Sequence, residues 1–295
     1  MDRIGFVGLG AMGTPMAWNV DAAGFELGVY NRSAKPTEQF AAEGVDVYDS
    51  PADLAGDVDA VVTMVTGPEA LGDVIGGEAG VTAGLADGTV VVNTSTVSRQ
   101  ATTTAAEDVR GAGGAFVDAP VLGTVGPAEQ GELLVLAGAD DDVLERVRPL
   151  LDTFGEVASV GDVGDGTSAK LTTNLLLGVM MEGFSEALAF ADAQGLDLET
   201  VLDVIDRGVI SSPLYSVKAD AVRERDFSPQ FPVDLLFKDL NLVLDAAGED
   251  RTPLPATGAV REAANETRAL GHGDEDMTAL LRRIEDVTGR TVGEG

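Results

Sequence analysis

The chain contains no cysteine. Disulfides, thiolate nucleophiles and sulfur-based zinc sites are therefore excluded. It contains a single histidine, His272. A histidine metal site or a Ser-His-Asp triad would have to run through that one residue, which sits in the loop-like run Gly271-His272-Gly273-Asp274. It reads as a turn residue, and no metal site is expected. Positive charge is also scarce, with Lys+Arg 19 against Asp+Glu 50 and a formal net charge of -31. The only lysines are Lys35, Lys170, Lys218 and Lys238. Nucleic acid is excluded as a partner, because its phosphates need dense cationic patches and would be repelled here. The acids are scattered rather than massed in a tail. Concentrated salt tolerates such a surface, since the Debye length shrinks to about 3 Å at 1 M and self-repulsion is screened. The charge thus reads as environment, a halophilic cytoplasm, more than as an acidic interaction surface. No basic region precedes the first apolar run, and the longest apolar-rich stretch, Leu171 to Ala193, is broken by Asn174, Glu182, Ser185, Glu186 and Asp192. A cytoplasmic protein with no membrane partner is expected.

What is present is an ordinary apolar content of 44% in a chain of 295 residues, enough for two modest domains. In the first half, short apolar runs alternate with helix-length segments. Arg3 to Val7, Leu27 to Tyr30, Ala60 to Val65, Val90 to Asn93, Ala115 to Asp118 and Leu133 to Ala137 read as strands. This alternation predicts an α/β fold of parallel strands with helical crossovers. Beyond about Gly164 the period is helical throughout: Thr167 to Gln194, Leu198 to Gly208, Ser216 to Arg225, Val233 to Gly248, Ala256 to Leu270 and Asp274 to Thr288. The change of period places the domains at 1–163 and 164–295. The run Leu175 to Met181 is too apolar to stand in water and is expected to be buried within or between subunits.

Gly8-Leu9-Gly10-Ala11-Met12-Gly13 closes the first strand and opens a helix. Gly8 permits the tight turn, Gly10 lets the backbone approach a pyrophosphate, and Gly13 allows close helix-on-strand packing, with free N–H groups facing the anion. A dinucleotide is the expected ligand. Past the second strand, where an NAD enzyme usually offers a carboxylate to the ribose 2'-hydroxyl, the chain offers Asn31, Arg32 and Ser33. A guanidinium beside neutral polar groups suits a 2'-phosphate better, so NADP is preferred and NAD stays possible through Asn31. Met64 and Val65, at the end of the next strand pattern, are also assigned to the cofactor.

A second patch comprises Gly161, Gly164, Gly166, Lys170 and Asn174. The four-residue spacing of Lys170 and Asn174 stacks both on one helix face. An ammonium near a nicotinamide would donate a proton to a carbonyl oxygen as hydride arrives and take it back in the oxidative direction. A helix start is an unfavourable place for an idle cation. Lys238-Asp239-Leu240 is the third feature, on a mostly apolar helix, where the charges face a cleft or form a surface ion pair.

The glycine turn with Asn19, the tract Asp118-Ala119-Pro120-Val121, the Gly161 to Asn174 patch and Lys238-Asp239-Leu240 together resemble the beta-hydroxyacid dehydrogenases. The 3-hydroxyisobutyrate dehydrogenases are one branch. The glyoxylate and succinic semialdehyde reductase branch is more similar, through Gly126-Pro127-Ala128-Glu129, Met180-Met181, Phe184-Ser185-Glu186 and Phe231-Pro232. The resemblance covers essentially the whole chain. It implies a Rossmann-type doubly wound sheet, a long interdomain helix and an all-α C-terminal domain that mediates homodimers or homotetramers. It further implies NADPH-dependent reduction of a small aldehyde or keto acid, or oxidation of the matching 3-hydroxy or 2-hydroxy carboxylate. By the same resemblance Lys170 is the catalytic lysine, Asn174 its substrate-orienting partner, Lys238 a lysine at the cofactor edge and Thr96 a cofactor contact. The substrate side comprises Leu122, Gly123, Thr124 and Phe231. One departure stands out: where the family has a serine after Pro-Val, this chain has Leu122, which has no hydroxyl to donate. A bulkier or less polar acid, or an imine, then stays open as substrate. A non-catalytic dinucleotide-binding regulatory or assembly protein on the same fold is the alternative, against which the presence of both Lys170 and Asn174 counts. Relatives that decarboxylate 6-phosphogluconate have a much longer helical domain, and imine reductases typically replace the lysine.

Overall fold

The computed structural model describes residues 1–294. Its strands are β1 (Arg3–Val7), β2 (Glu26–Tyr30), β3 (Asp46–Val47), β4 (Ala60–Thr63), β5 (Val90–Asn93), β6 (Ala115–Asp118), β7 (Val121–Leu122), β8 (Leu133–Gly138) and β9 (Gly155–Gly161). The helices of the same half are α1 (Gly13–Ala22), α2 (Glu38–Ala42), α3 (Pro51–Ala55), α4 (Gly67–Gly76), α5 (Val81–Gly84), α6 (Arg99–Gly111), α7 (Val125–Gln130) and α8 (Asp141–Leu151). There follow α9 (Asp165–Ala193), α10 (Leu198–Arg207), α11 (Pro213–Glu224), α12 (Val233–Glu249), α13 (Pro255–Ala269) and α14 (Leu280–Thr288).

Chain contacts divide the protein into two compact units, Met1–Leu171 and a second beginning at Thr172, so the division falls inside α9. In the first unit the strand order β3-β2-β1-β4-β5-β6 is parallel and doubly wound, the Rossmann arrangement. Alternate strand residues feed opposite layers. Val62, Val92 and Val117 pack with Met16 and Val20 of α1 on one face; Val61, Val91 and Phe116 pack with Leu71 of α4 and Val109 of α6 on the other.

The sheet is not parallel throughout, as the strand–helix alternation predicted. β8 pairs antiparallel with both β6 and β7, and β9 then adds parallel to β8. A parallel neighbour needs a crossover of about a dozen residues. β6 and β7 run on in one direction, pairing with β8 in a single register, and the chain reverses between β7 and β8 within residues 123–132, a link shorter than that.

The second unit is helical, around Met181, Phe184, Leu188, Leu236, Leu240 and Leu281. Helix α9 is long and apolar enough to cross a membrane, yet 44% of its most apolar window is buried within the protein. Its core face, Met181, Phe184 and Leu188, recurs at helical spacing. Leu176 and Phe190 fall on the opposite side and are 56% and 67% exposed. The run Leu175 to Met181 is therefore only partly buried in the single chain, because one helix cannot turn all its residues inward. The last predicted helix also starts later. Asp276 accepts the Thr278 N–H and begins a 3-10 turn, Met277–Ala279, from which α14 continues. His272 lies in the preceding turn, its ring nitrogens 3.2 Å from Glu275 and 3.0 Å from Asp286.

Candidate active site

The glycine turn between β1 and α1 is built as its residue types require. Gly8 has φ +101°, in the left-handed region, and a Cβ there would overlap the Met64 carbonyl oxygen. A Cβ on Gly13 would overlap the Gly8 carbonyl. At Gly10, by contrast, a Cβ would meet no protein atom within 4 Å. The protein's own packing therefore demands glycine at 8 and 13 and not at 10, where only an incoming group would need the backbone bare. Met12 precedes α1 without a side-chain cap, so no side chain competes for the helix's N-terminal N–H groups. These features fit a pyrophosphate on Gly10, Ala11 and Met12.

The loop is held from two sides. The Leu9 N–H donates to Asn31 Oδ1 at 2.9 Å, and Asn31 Nδ2 donates to the Ser33 carbonyl and hydroxyl at 2.9 and 3.0 Å. Asn31 thus clamps the glycine turn to the end of β2. On the other side, the Val65 N–H donates to Ser95 Oγ at 2.9 Å. A buried network of Thr63, Asn93, Thr94 and Ser95 fixes the ends of β4 and β5, with Thr63 Oγ1 3.0 Å from Asn93 Oδ1. Gly8, Met64, Val65, Asn31 and Ser33 are brought together in this way, with Thr96 half-buried next to Ser95. Arg32 is exposed and makes no hydrogen bond or ion pair among the described residues, whereas Arg3, Arg99, Arg148 and Arg223 are held by carboxylates.

Lys170 lies half-buried on α9, one turn past a helix start that is anchored strongly. Asp118, at the end of β6 and fully buried, accepts N–H bonds from Gly164 (3.0 Å) and Thr167 (2.7 Å) and the Thr167 hydroxyl (2.8 Å). The Thr102 hydroxyl lies 2.8 Å from that of Thr167. Arg99 donates to Asp165, Ser168 and the Gly164 carbonyl from the exposed side. Burial pushes the Asp118 carboxyl up to about 6, the bonds from Thr167 and Gly164 and the Arg99 charge opposing it. A Cβ on Gly166 would approach the Asp118 carbonyl to 2.6 Å, which explains that glycine.

Leu122 ends β7, and Gly123 and Thr124 form the β7–α7 connection. Gly123 has φ +135°, and a Cβ there would come within 2.5 Å of Leu133. Leu122 and Thr124 are half-buried, and the Thr124 side chain does not cap α7.

In the second unit, Asn174 is 2% exposed and its Nδ2 donates to Asp239 Oδ2 at 2.6 Å. Lys238 Nζ lies 2.7 Å from the other oxygen of the same carboxylate. The Lys238–Asp239 pair is therefore not a surface decoration, since Asp239 is buried and fixes Asn174. Phe231 is half-buried and packs against the unit's core. Motif reading gives no role to Asp118, Thr167, Arg99 or Asp239, whose partners lie between 46 and 69 residues away in sequence wherever they bond across the fold.

Residues 3–164 match the family described as the NAD binding domain of 6-phosphogluconate dehydrogenase, and residues 164–284 that described as NAD-binding of NADP-dependent 3-hydroxyisobutyrate dehydrogenase. 2-(Hydroxymethyl)glutarate dehydrogenase of Eubacterium barkeri is 35% identical over 297 residues, covering 99% of this chain and 98% of its own. Glyoxylate/succinic semialdehyde reductase 1 of Arabidopsis thaliana is 33% identical over 284 residues, covering 96% and 98%. Among solved structures, a 3-hydroxyisobutyrate dehydrogenase of Mycobacterium tuberculosis superposes with a TM-score of 0.89 at 27% identity, over 96% of this chain and 98% of that one. Fold and site together define an oxidoreductase that uses a nicotinamide dinucleotide. The chain belongs to the beta-hydroxyacid dehydrogenase family.

Proposed function

We propose that the protein is an NADP-dependent oxidoreductase that interconverts a small 3-hydroxy or 2-hydroxy carboxylic acid and its aldehyde or keto acid, with Lys170 as general acid in reduction and general base in oxidation. The observation that carries this reading is a lysine and an asparagine four residues apart on one continuous helix, whose start is anchored by Asp118 and whose asparagine is pinned by Asp239. Residues 1–163 serve as the dinucleotide domain, and residues 164–295 supply substrate and homo-oligomer contacts.

When bound, the nicotinamide supplies or accepts the hydride. Gly8 to Gly13, Met64, Val65 and Thr96 hold the dinucleotide, Lys238 meets its edge, and Arg32 takes the 2'-phosphate. The Lys170 ammonium gives its proton to the carbonyl oxygen as that oxygen gains charge, and recovers it from the hydroxyl in the reverse direction. Asn174, with one N–H committed to Asp239, can accept from the lysine through its carbonyl oxygen or donate its second N–H to the substrate oxygen. The substrate carboxylate is received by the Gly123 and Thr124 N–H groups and the Thr124 hydroxyl, with Leu122 and Phe231 as apolar walls. The carboxylate-rich surface suits a halophilic cytoplasm.

The test is a panel of glyoxylate, succinic semialdehyde, 3-hydroxyisobutyrate and 3-hydroxypropionate with NADP(H) and NAD(H) in concentrated salt, followed at the nicotinamide absorbance. NADP(H)-dependent turnover of at least one is expected, and inactivity on all would remove the substrate class. Arg32→Ala is expected to lower kcat/KM for NADPH about tenfold and leave that for NADH within about twofold, the weight of one charge-assisted hydrogen bond. Equal losses with both cofactors would take the 2'-phosphate away from Arg32.

A further inference from the structure

Lys218 takes no part in the chemistry above, yet it is one of the few lysines in the chain and is only 4% exposed. Its Nζ donates to Asp276 Oδ1 at 2.8 Å, and Asp276 is 2% exposed. A buried ion pair is costly to desolvate, and two apolar residues of similar volume hold helices together at least as well. Its presence calls for something that an apolar pair would not do.

The hydrogen bonds of Asp276 supply it. Oδ1 accepts Lys218 and both the N–H and hydroxyl of Thr278, at 3.0 and 2.6 Å. Oδ2 accepts the backbone N–H groups of Gln230 and Phe231, at 3.2 and 3.0 Å. The Asp276 N–H donates to the Phe227 carbonyl, and the Met277 N–H to that of Phe231, both at 2.9 Å. Residues 227–231 form neither helix nor strand, and the chain after them makes a single bridge, Pro232 to Asp276. Asp276 therefore holds both ends of an irregular segment, its carboxylate the 230–231 end and its backbone N–H the Phe227 end. The donor set also keeps that carboxylate charged: burial alone would raise its pKa, but the Lys218 bond and charge, with Thr278 and the Phe231 N–H, hold it below the usual range.

We infer that the buried Lys218–Asp276 pair is a positioning device for segment 227–231, and through it sets how Phe231 meets the substrate. The inference rests on the reading of Phe231 as a substrate wall. Lys218 acts through Asp276, and Asp276 through two backbone N–H groups; neither touches the reacting atoms. A purely structural pair would change melting temperature alone, whereas a positioning pair changes KM for the acid and spares the cofactor.

The test measures KM for succinic semialdehyde, kcat, the NADPH dissociation constant and Tm in Phe231→Ala, Lys218→Met, Lys218→Arg and the double variant Lys218→Met/Asp276→Asn. The double variant leaves no orphaned buried charge. Phe231→Ala is expected to raise KM fivefold or more. Lys218→Met and the double variant should raise it about tenfold with NADPH affinity within twofold of the parent, and Lys218→Arg should recover part of the loss. Folded Lys218 variants with the parent's KM, beside a Phe231→Ala that raises it, would overturn the inference. A Phe231→Ala without effect would instead remove the reading beneath it, and the inference with it. Should the lysine variants not fold, Thr278→Val, which takes one hydroxyl from the same carboxylate, decides: a threefold rise in KM supports the device and an unchanged KM rejects it.

Discussion

Methionine in place of Lys170 lowers turnover by about 10² to 10⁴-fold, the usual weight of one positioned acid–base group, and leaves NADPH affinity within about twofold. The expectation separates chemistry from scaffold because methionine keeps the unbranched stem and loses only the ammonium. The scaffold is secured elsewhere, by Asp118 and Arg99 on the first turn of α9 and by Asp239 on Asn174. The side chain is half-buried, so the substitution creates no core cavity. Stopped-flow or steady-state rates at saturating substrate, with cofactor titration by nicotinamide fluorescence, make the measurement. A variant turning over within twofold of the parent would remove Lys170 from the chemistry. A variant that lost NADPH affinity instead would make it a cofactor ligand.

The parts of this site that were legible beforehand share a physical origin: their signal is local. The glycine turn can be read because backbone approach demands glycine within six residues, and β1, β4 and β5 because strands covered on both faces are apolar without interruption. The Lys170–Asn174 pair is visible because helical spacing is local too. Strand β3 carries no such signal, being two residues long and exposed, and β9 alternates at the sheet's edge among glycines. The antiparallel course of β8 comes from the reversal within residues 123–132, which periodicity does not report. Strand-end position makes Asn31 a ribose contact or a neutral neighbour of the phosphate, and its further work of accepting from Leu9 and donating to Ser33 leaves no sequence signal. The role of Asp118 is equally hidden in sequence, because the amides of Gly164 and Thr167 that converge on it are 46 and 49 residues away.

Asp118 also carries the second large expected effect, with a sign opposite to that of an ordinary salt-bridged acid. Its carboxyl rises from 3.8 to about 6 because burial outweighs the three hydrogen bonds and the Arg99 charge. Between those two values the folded protein retains a proton that the unfolded chain has released. Stability from this group is therefore fully present below pH 3.8 and falls as pH rises through about 6. A shift of about two units corresponds to roughly 2 to 3 kcal/mol. Most of that is spanned between pH 4 and pH 7. Because the chain bears 50 acidic residues, the effect is isolated by difference, in concentrated salt, against Asp118→Asn, which fills the same volume but does not titrate. Denaturant unfolding at both pH values should show the parent losing about 2 kcal/mol relative to Asp118→Asn on going from pH 4 to pH 7. If the parent gains on the variant instead, the hydrogen bonds from Gly164 and Thr167 outweigh burial and the group is an ordinary stabilised carboxylate. In that case Asp118 would anchor α9, and with it Lys170, most firmly when charged. If the loss is observed, desolvation of the charge exceeds what these hydrogen bonds return, and on protonation the Thr102–Thr167 hydroxyl pair reorients to accept the carboxyl proton.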